Sequence, residues 1–141
     1  MCRFNRHGAF NVRFGRYARI AYRRDFLAYR PVLAGWTLSS ADIADVPLEP
    51  DDFVYADPPY DVAFRQYGPA GFAWDDQVRT AERLAVHPGP VVLVNQATPR
   101  IAGLYRSLGY EVSELDGPRR IGCTGDRRPA REILAVRNTL A

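Results

Sequence analysis

The apolar positions of this chain change period along its length, and the changes mark its elements. Residues 2–17 (CRFNRHGAFNVRFGRY) alternate large and polar side chains around a glycine. That is the period of paired strands, and it predicts a β-hairpin turning at His7-Gly8. Residues 20–30 hold no clean period and are read as helix. VLAGWTL (32–38) predicts a short strand, and Ser40 is placed to cap a brief helix over 41–45, ended by Pro47 and Pro50.

From residue 53 the pattern is regular. FVYAD (53–57) is an apolar run stopped by Pro58-Pro59, as expected of a buried parallel strand. An aromatic loop follows to Trp74. Asp75 then caps a helix over 76–87, whose face is Val78, Ala81, Leu84 and Ala85. VVLVN (91–95) is a second buried strand. Thr98-Pro99 opens a helix that Gly109 closes, and two more strands follow at 110–115 and 132–138, separated by a basic loop over 119–131. The order predicts an α/β sheet finishing in a strand pair. Ligands of such sheets sit beyond the carboxyl ends of the strands, where Asp57 and Asn95 fall.

Charge adds a partner. Residues 1–30 carry a balance of +7, residues 31–118 one of −8, and residues 119–141 one of +4, with all nineteen basic residues arginine. Guanidinium groups bind phosphates and guanine edges bidentately, so two basic arms around an acidic middle suggest a nucleic-acid polyanion. GC-rich codon usage alone would also favour arginine over lysine. No run of eighteen apolar residues exists to span a membrane, and the N-terminus lacks the apolar stretch of a signal peptide. Two isolated cysteines, Cys2 and Cys123, argue against a zinc site or a disulfide framework, and the default compartment is the cytoplasm. His7 and His87 are read as turn and helix-end residues.

The chemistry concentrates in Asp57-Pro58-Pro59-Tyr60. The exocyclic amine of adenine is a poor nucleophile because its lone pair is delocalised into the ring. A carboxylate accepting one of its N–H groups and a backbone carbonyl accepting the other would hold it in a more reactive geometry. Successive prolines fix such a turn and offer no competing N–H. An aromatic ring directly afterwards can stack on a base drawn out of the duplex. The bland alternative, an ordinary Asp-Pro turn, loses ground because the tetrapeptide ends an apolar strand.

The chain resembles the Dam-like (class D12) N6-adenine-specific DNA methyltransferases over nearly its whole length. Four blocks match in order: 2–17, DFVYADPPY (52–60), VLVNQ (92–96) and RRIGCTGDRRPAREILAVRN (119–138). The resemblance implies the C-terminal portion of a Rossmann-like, S-adenosylmethionine-dependent fold. Residues 1–30 would end the target-recognition region, and residues 31–141 would form the C-terminal part of the catalytic domain. It implies catalytic roles for Asp57, Pro58, Pro59 and Tyr60, with Asp57 and Tyr60 also meeting the cofactor. It implies double-stranded DNA as partner, contacted by Arg3 and Arg16 of a reading hairpin whose frame includes Asn5. Arg13 in the same hairpin and Arg119, Arg120, Arg127 and Arg128 in the basic loop are read from their charge as further DNA contacts.

Two departures matter. Arg13 stands where many members have proline, which puts the recognition sequence in doubt. The Gly-rich cofactor loop is absent, so a missing N-terminal half is expected to supply it. Without that half, the strand over 53–57 should be a sheet edge, open to an N-terminal polypeptide or to self-association. Two rival readings stand beside this one: a non-catalytic DNA-binding remnant, and methylation of another planar amine.

Overall fold

The computed structural model describes residues 6–8, 25–61, 71–117 and 130–139. The chain divides into two compact units, Met1–Ser40 and Ala41–Ala141.

In the first unit, residues 6–8 turn where the alternation placed a turn, with Gly8 at φ 76°, a conformation glycine enters without a Cβ penalty. The strands of the expected hairpin lie outside the described residues. A 3-10 turn over Leu27–Tyr29 runs into a one-turn helix, α1 (Arg30–Leu33). The strand expected at 32–38 is therefore not formed. Pro31 sits in the first turn of α1, where its missing N–H is harmless, and the Ala34 N–H closes on the Arg30 carbonyl at 2.9 Å. No strand among the described residues offers this segment a ladder, and Val32, Trp36 and Leu38 stay exposed.

The second unit is built on a four-stranded sheet of β1 (Val54–Ala56), β2 (Val91–Gln96), β3 (Glu111–Gly117) and β4 (Ala130–Arg137), in the spatial order β1-β2-β4-β3. β1 runs parallel to β2 and is linked to it through helix α2 (Trp74–Ala85). Helix α3 (Pro99–Ser107) carries the chain from β2 to β3, and β4 lies antiparallel between β2 and β3. All the elements expected after residue 53 are present.

β2 is central, and its alternate residues Val91, Leu93 and Asn95 are buried. Val91 and Leu93 join Ala81 and Leu84 of α2, Ile101 and Tyr105 of α3, and Ile133 and Ala135 of β4 in one core. Each fully buried aliphatic side chain there stabilises the fold by about 1.5–3 kcal/mol over exposure. β1 departs from expectation in burial. Val54 and Ala56 are half-buried, whereas Phe53 and Tyr55 are 63% and 61% exposed. Among the described residues β1 pairs with β2 alone, and the exposure of Phe53 and Tyr55 leaves one face of this segment uncovered.

The helix starts correct two expected caps. The brief helix near residue 42 is a 3-10 turn, Ile43–Asp45, capped by Asp42, whose Oδ1 accepts the Ala44 N–H at 2.9 Å; Ser40 lies too far back. α2 begins at Trp74, so Asp75 lies inside its first turn. Ala73 occupies the capping position, and its N–H donates to Oδ2 of Asp76 at 2.8 Å. α3 follows the expected form: Thr98 Oγ1 accepts the Ile101 N–H at 3.3 Å, and Gly109 leaves the helix at φ 80°. The buried face of α2 also differs. Ala81 and Leu84 are buried as read, but Gln77 and Thr80 take the remaining places, and Val78 and Ala85 are only half-buried.

Candidate active site

β1 stops at Ala56, opposite Leu93 of β2, so Asp57 and Asn95 emerge at the carboxyl end of the parallel pair. Asp57 is exposed, and Pro58, Pro59 and Tyr60 are half-buried. These four residues line a concavity of about 360 Å³. A second, of about 470 Å³, shares Asp57, Pro58 and Pro59 and extends to Asp42, Tyr55 and Arg79. Both volumes suit small-molecule groups, commonly held in sites of ~300–1,000 Å³. The tetrapeptide is thus a ridge bordering two hollows. No hydrogen bond from a described residue reaches the Asp57 carboxylate or the Pro58 carbonyl.

Beneath the turn lies a buried polar network. Gln77 Nε2 donates to the Pro59 carbonyl at 2.6 Å. Asn95, fully buried, donates from Nδ2 to Gln77 Oε1 at 3.0 Å and to the Tyr105 hydroxyl at 3.3 Å. Its Oδ1 accepts the backbone N–H groups of Asp61 at 3.0 Å and Gln96 at 2.8 Å. Burial pushes the Tyr105 phenol above its ordinary pKa, the Asn95 hydrogen bond pulls it partly back, and the nearby Asp61 charge raises it further.

The residue after the tetrapeptide is also held. The Asp61 carboxylate, only 5% exposed, is forked by the Arg100 guanidinium and accepts the Thr98 hydroxyl at 3.1 Å. Arg100 lies 4.6 Å from the centre of the Trp74 ring, a cation–π contact joining the starts of α2 and α3. On the second hollow, Arg79 bridges Asp42 and Asp76, and the Arg79 hydrogen bond, with that of the Ala44 N–H, holds the Asp42 carboxyl down to about 2. Arg83 donates to the Val46 carbonyl at 2.7 Å. Both arginines of α2 therefore tie the 42–46 segment to the helix.

Of the residues singled out in the sequence, Asp57, Pro58, Pro59 and Tyr60 stand together, with Asn95 directly below as polar support. Pro59 is an anchoring point, since its carbonyl is taken. Arg3, Asn5, Arg13, Arg16, Arg119, Arg120, Arg127 and Arg128 lie outside the described residues. Trp74 carries Arg100, and Phe72 lines the second hollow. Sequence reading missed Gln77, Asp61, Arg100 and Tyr105. One signal was available: Gln77, Ala81 and Leu84 share a helical face, and an amide on an apolar face needs a buried partner.

Comparison with known proteins gives the family. The family model of D12 class N6 adenine-specific DNA methyltransferases matches residues 1–120. The chain is 33% identical to the retron Ec67 DNA adenine methylase of Escherichia coli, over 96% of this chain and 50% of that protein. It is 31% identical to a DNA adenine methylase of Vibrio cholerae, over 96% of this chain and 53% of that one. A DNA N-6-adenine-methyltransferase of Escherichia phage P1 is 28% identical over 96% of this chain and 20% of its own length. The chain thus spans about half the length of the first two relatives, or less of the third. With a match over residues 1–120, the chain belongs to the D12 class N6 adenine-specific DNA methyltransferase family.

Proposed function

We propose that this chain supplies the catalytic half of a Rossmann-like methyltransferase acting on the N6 amine of adenine in double-stranded DNA, with S-adenosylmethionine as methyl donor. The observation that carries this reading is the division of acceptors at the turn. Gln77 occupies the Pro59 carbonyl, and no described residue bonds the Asp57 carboxylate or the Pro58 carbonyl, beside a hollow of about 360 Å³.

In this reading the two amine N–H groups donate to Asp57 and to the Pro58 carbonyl, while Tyr60 stacks on the extruded base. Asp57 stabilises the positive charge that develops on the amine and takes the proton it releases. S-adenosylmethionine supplies a methyl group already activated on a sulfonium, so positioning and charge stabilisation suffice. Asp57 and Tyr60 are the residues here that would meet it. The 141 residues hold no Gly-rich loop for its amino-acid and ribose ends. Activity then needs a polypeptide carrying that loop, in the same protein or on a separate chain, and the side of β1 that no described strand pairs is where it would join. Arg3, Asn5, Arg13 and Arg16, with Arg119, Arg120, Arg127 and Arg128, supply the contacts to DNA in this reading.

A second reading is a DNA-binding remnant without transfer activity. Labelled methyl transfer to duplex DNA separates the two. It is measured for the chain alone and for the chain combined with the N-terminal half of the Vibrio cholerae relative. Transfer to adenine that Asp57→Ala abolishes is expected; DNA binding with no transfer in either arrangement selects the remnant.

A further inference from the structure

Resting on that reading of the turn, we infer that Asn95 and Gln77 are positioning residues, forming a one-way hydrogen-bond relay that determines which carbonyl of the turn is left for the substrate amine. The direction of the relay is fixed at its base. The backbone N–H groups of Asp61 and Gln96 can only donate, and both point at one atom of Asn95, its Oδ1, at 3.0 and 2.8 Å. Asn95 must therefore turn Nδ2 toward Gln77 and Tyr105. Gln77 must in turn present Oε1 to Asn95 and Nε2 to the Pro59 carbonyl. Reversing either amide would set donor against donor or acceptor against acceptor at side chains 0% and 3% exposed, where an unmet polar group is costly.

The relay has a consequence for the turn. Pro59 is tied to Asn95 through Gln77, and Asp61 is tied to it directly, so the backbone on both sides of Tyr60 is pinned to one side chain. With the Pro59 peptide plane held and φ of Pro59 fixed by its ring, only ψ of Pro59 remains between that plane and the Pro58 carbonyl. The amine then meets one backbone acceptor and not two.

The test uses isotopically labelled chain. In the unaltered protein a through-hydrogen-bond coupling between Gln77 Nε2 and the Pro59 carbonyl carbon is expected, and its absence overturns the relay without any variant having to fold. Gln77→Met, similar in volume but without the amide, should shift the Pro59 carbonyl resonance toward that of an unbonded carbonyl. Gln77→Glu should do the same at neutral pH, where a carboxylate opposes the carbonyl. On acidification the protonated carboxyl can donate to Pro59 and accept from Asn95, so the Pro59 resonance should return in one titration step. The groups sharing this surrounding are Tyr105, Asp61 paired with Arg100, and Asp76 paired with Arg79. A Pro59 resonance indifferent to both substitutions, or a Gln77→Glu variant that acid does not restore, overturns the proposal. None of these measurements needs methyl transfer, so a lack of transfer in both arrangements would reject the proposed function and leave the relay standing. In an arrangement that transfers methyl groups, Gln77→Met should lower kcat about tenfold or more. Its KM for DNA should stay within about threefold; a change confined to KM would also overturn the positioning role.

Discussion

The guanidinium of Arg100 forks across the carboxylate of Asp61, linking the first turn of α3 to the residue that follows the tetrapeptide. The two partners differ in burial: the Asp61 side chain is 5% exposed and that of Arg100 is 47%. Removing the arginine takes a forked partner away from a nearly buried charge, while removing the acid leaves an arginine that can turn to water. Arg100→Ala should therefore lower the urea midpoint more than Asp61→Asn. The reverse order would show that the pair is not anchored through its buried acid.

Core truncations should separate sharply from surface ones. Leu93 and Leu84 are fully buried, and replacing either with alanine should cost about 2–5 kcal/mol. Val86, 81% exposed just past α2, should change stability by no more than about 0.5 kcal/mol when made alanine. Chemical denaturation with a common slope measures both.

Stability should decline at both ends of the pH scale, for different groups. The folded Asp42 carboxyl lies at about 2, below its ordinary 3.8. Its contribution is complete above about 4 and is lost as pH falls toward 2, and it should be modest because the pair with Arg79 is exposed. Tyr105 and Tyr110 are pushed above their ordinary 10.0, chiefly by burial. Their neutral forms favour the fold below pH 10, and that advantage disappears as pH rises beyond it. Melting temperatures across pH 2–12 should show the alkaline fall shrink in Tyr110→Phe, which keeps the ring but gives up the hydrogen bond to Ala81.

Arginines should sort by location. Arg3→Ala with Arg16→Ala should weaken DNA binding and flatten its salt dependence. Arg79→Ala with Arg83→Ala should instead loosen the 42–46 segment, since these side chains hold Asp42 and Val46, and leave DNA affinity close to that of the parent. Equal losses of affinity would reject the N-terminal arm as a reading element.

The edge of β1 should be adhesive. Its strand has one neighbour among the described residues, carries exposed Tyr55 and follows exposed Phe53. Light scattering should find concentration-dependent association, and Tyr55→Lys should reduce it, because a charge on an edge strand opposes pairing with another chain. A strict monomer at every concentration would contradict this.

What the sequence determined by itself is what short-range physics governs. Apolar runs bounded by proline and glycine placed β1, β2 and the antiparallel pair β3 and β4, and Thr98-Pro99 and Gly109 marked the limits of α3. The tetrapeptide at a strand end carried its chemistry in its own residue order. The tertiary structure decided what depends on neighbours. Residues 32–38 have a strand's composition, but a strand needs a partner, and the local hydrogen bonds of α1 form without one. FVYAD reads as buried, yet burial depends on what lies alongside, and among the described residues β1 has one strand neighbour. Gln77 reads as a surface residue of a polar helix start. Only the arrival of Asn95 from eighteen residues away and of Pro59 from eighteen residues the other way makes it the link beneath the turn. Polar groups acquire roles from the partners that packing delivers, and those partners lie beyond the reach of any local pattern.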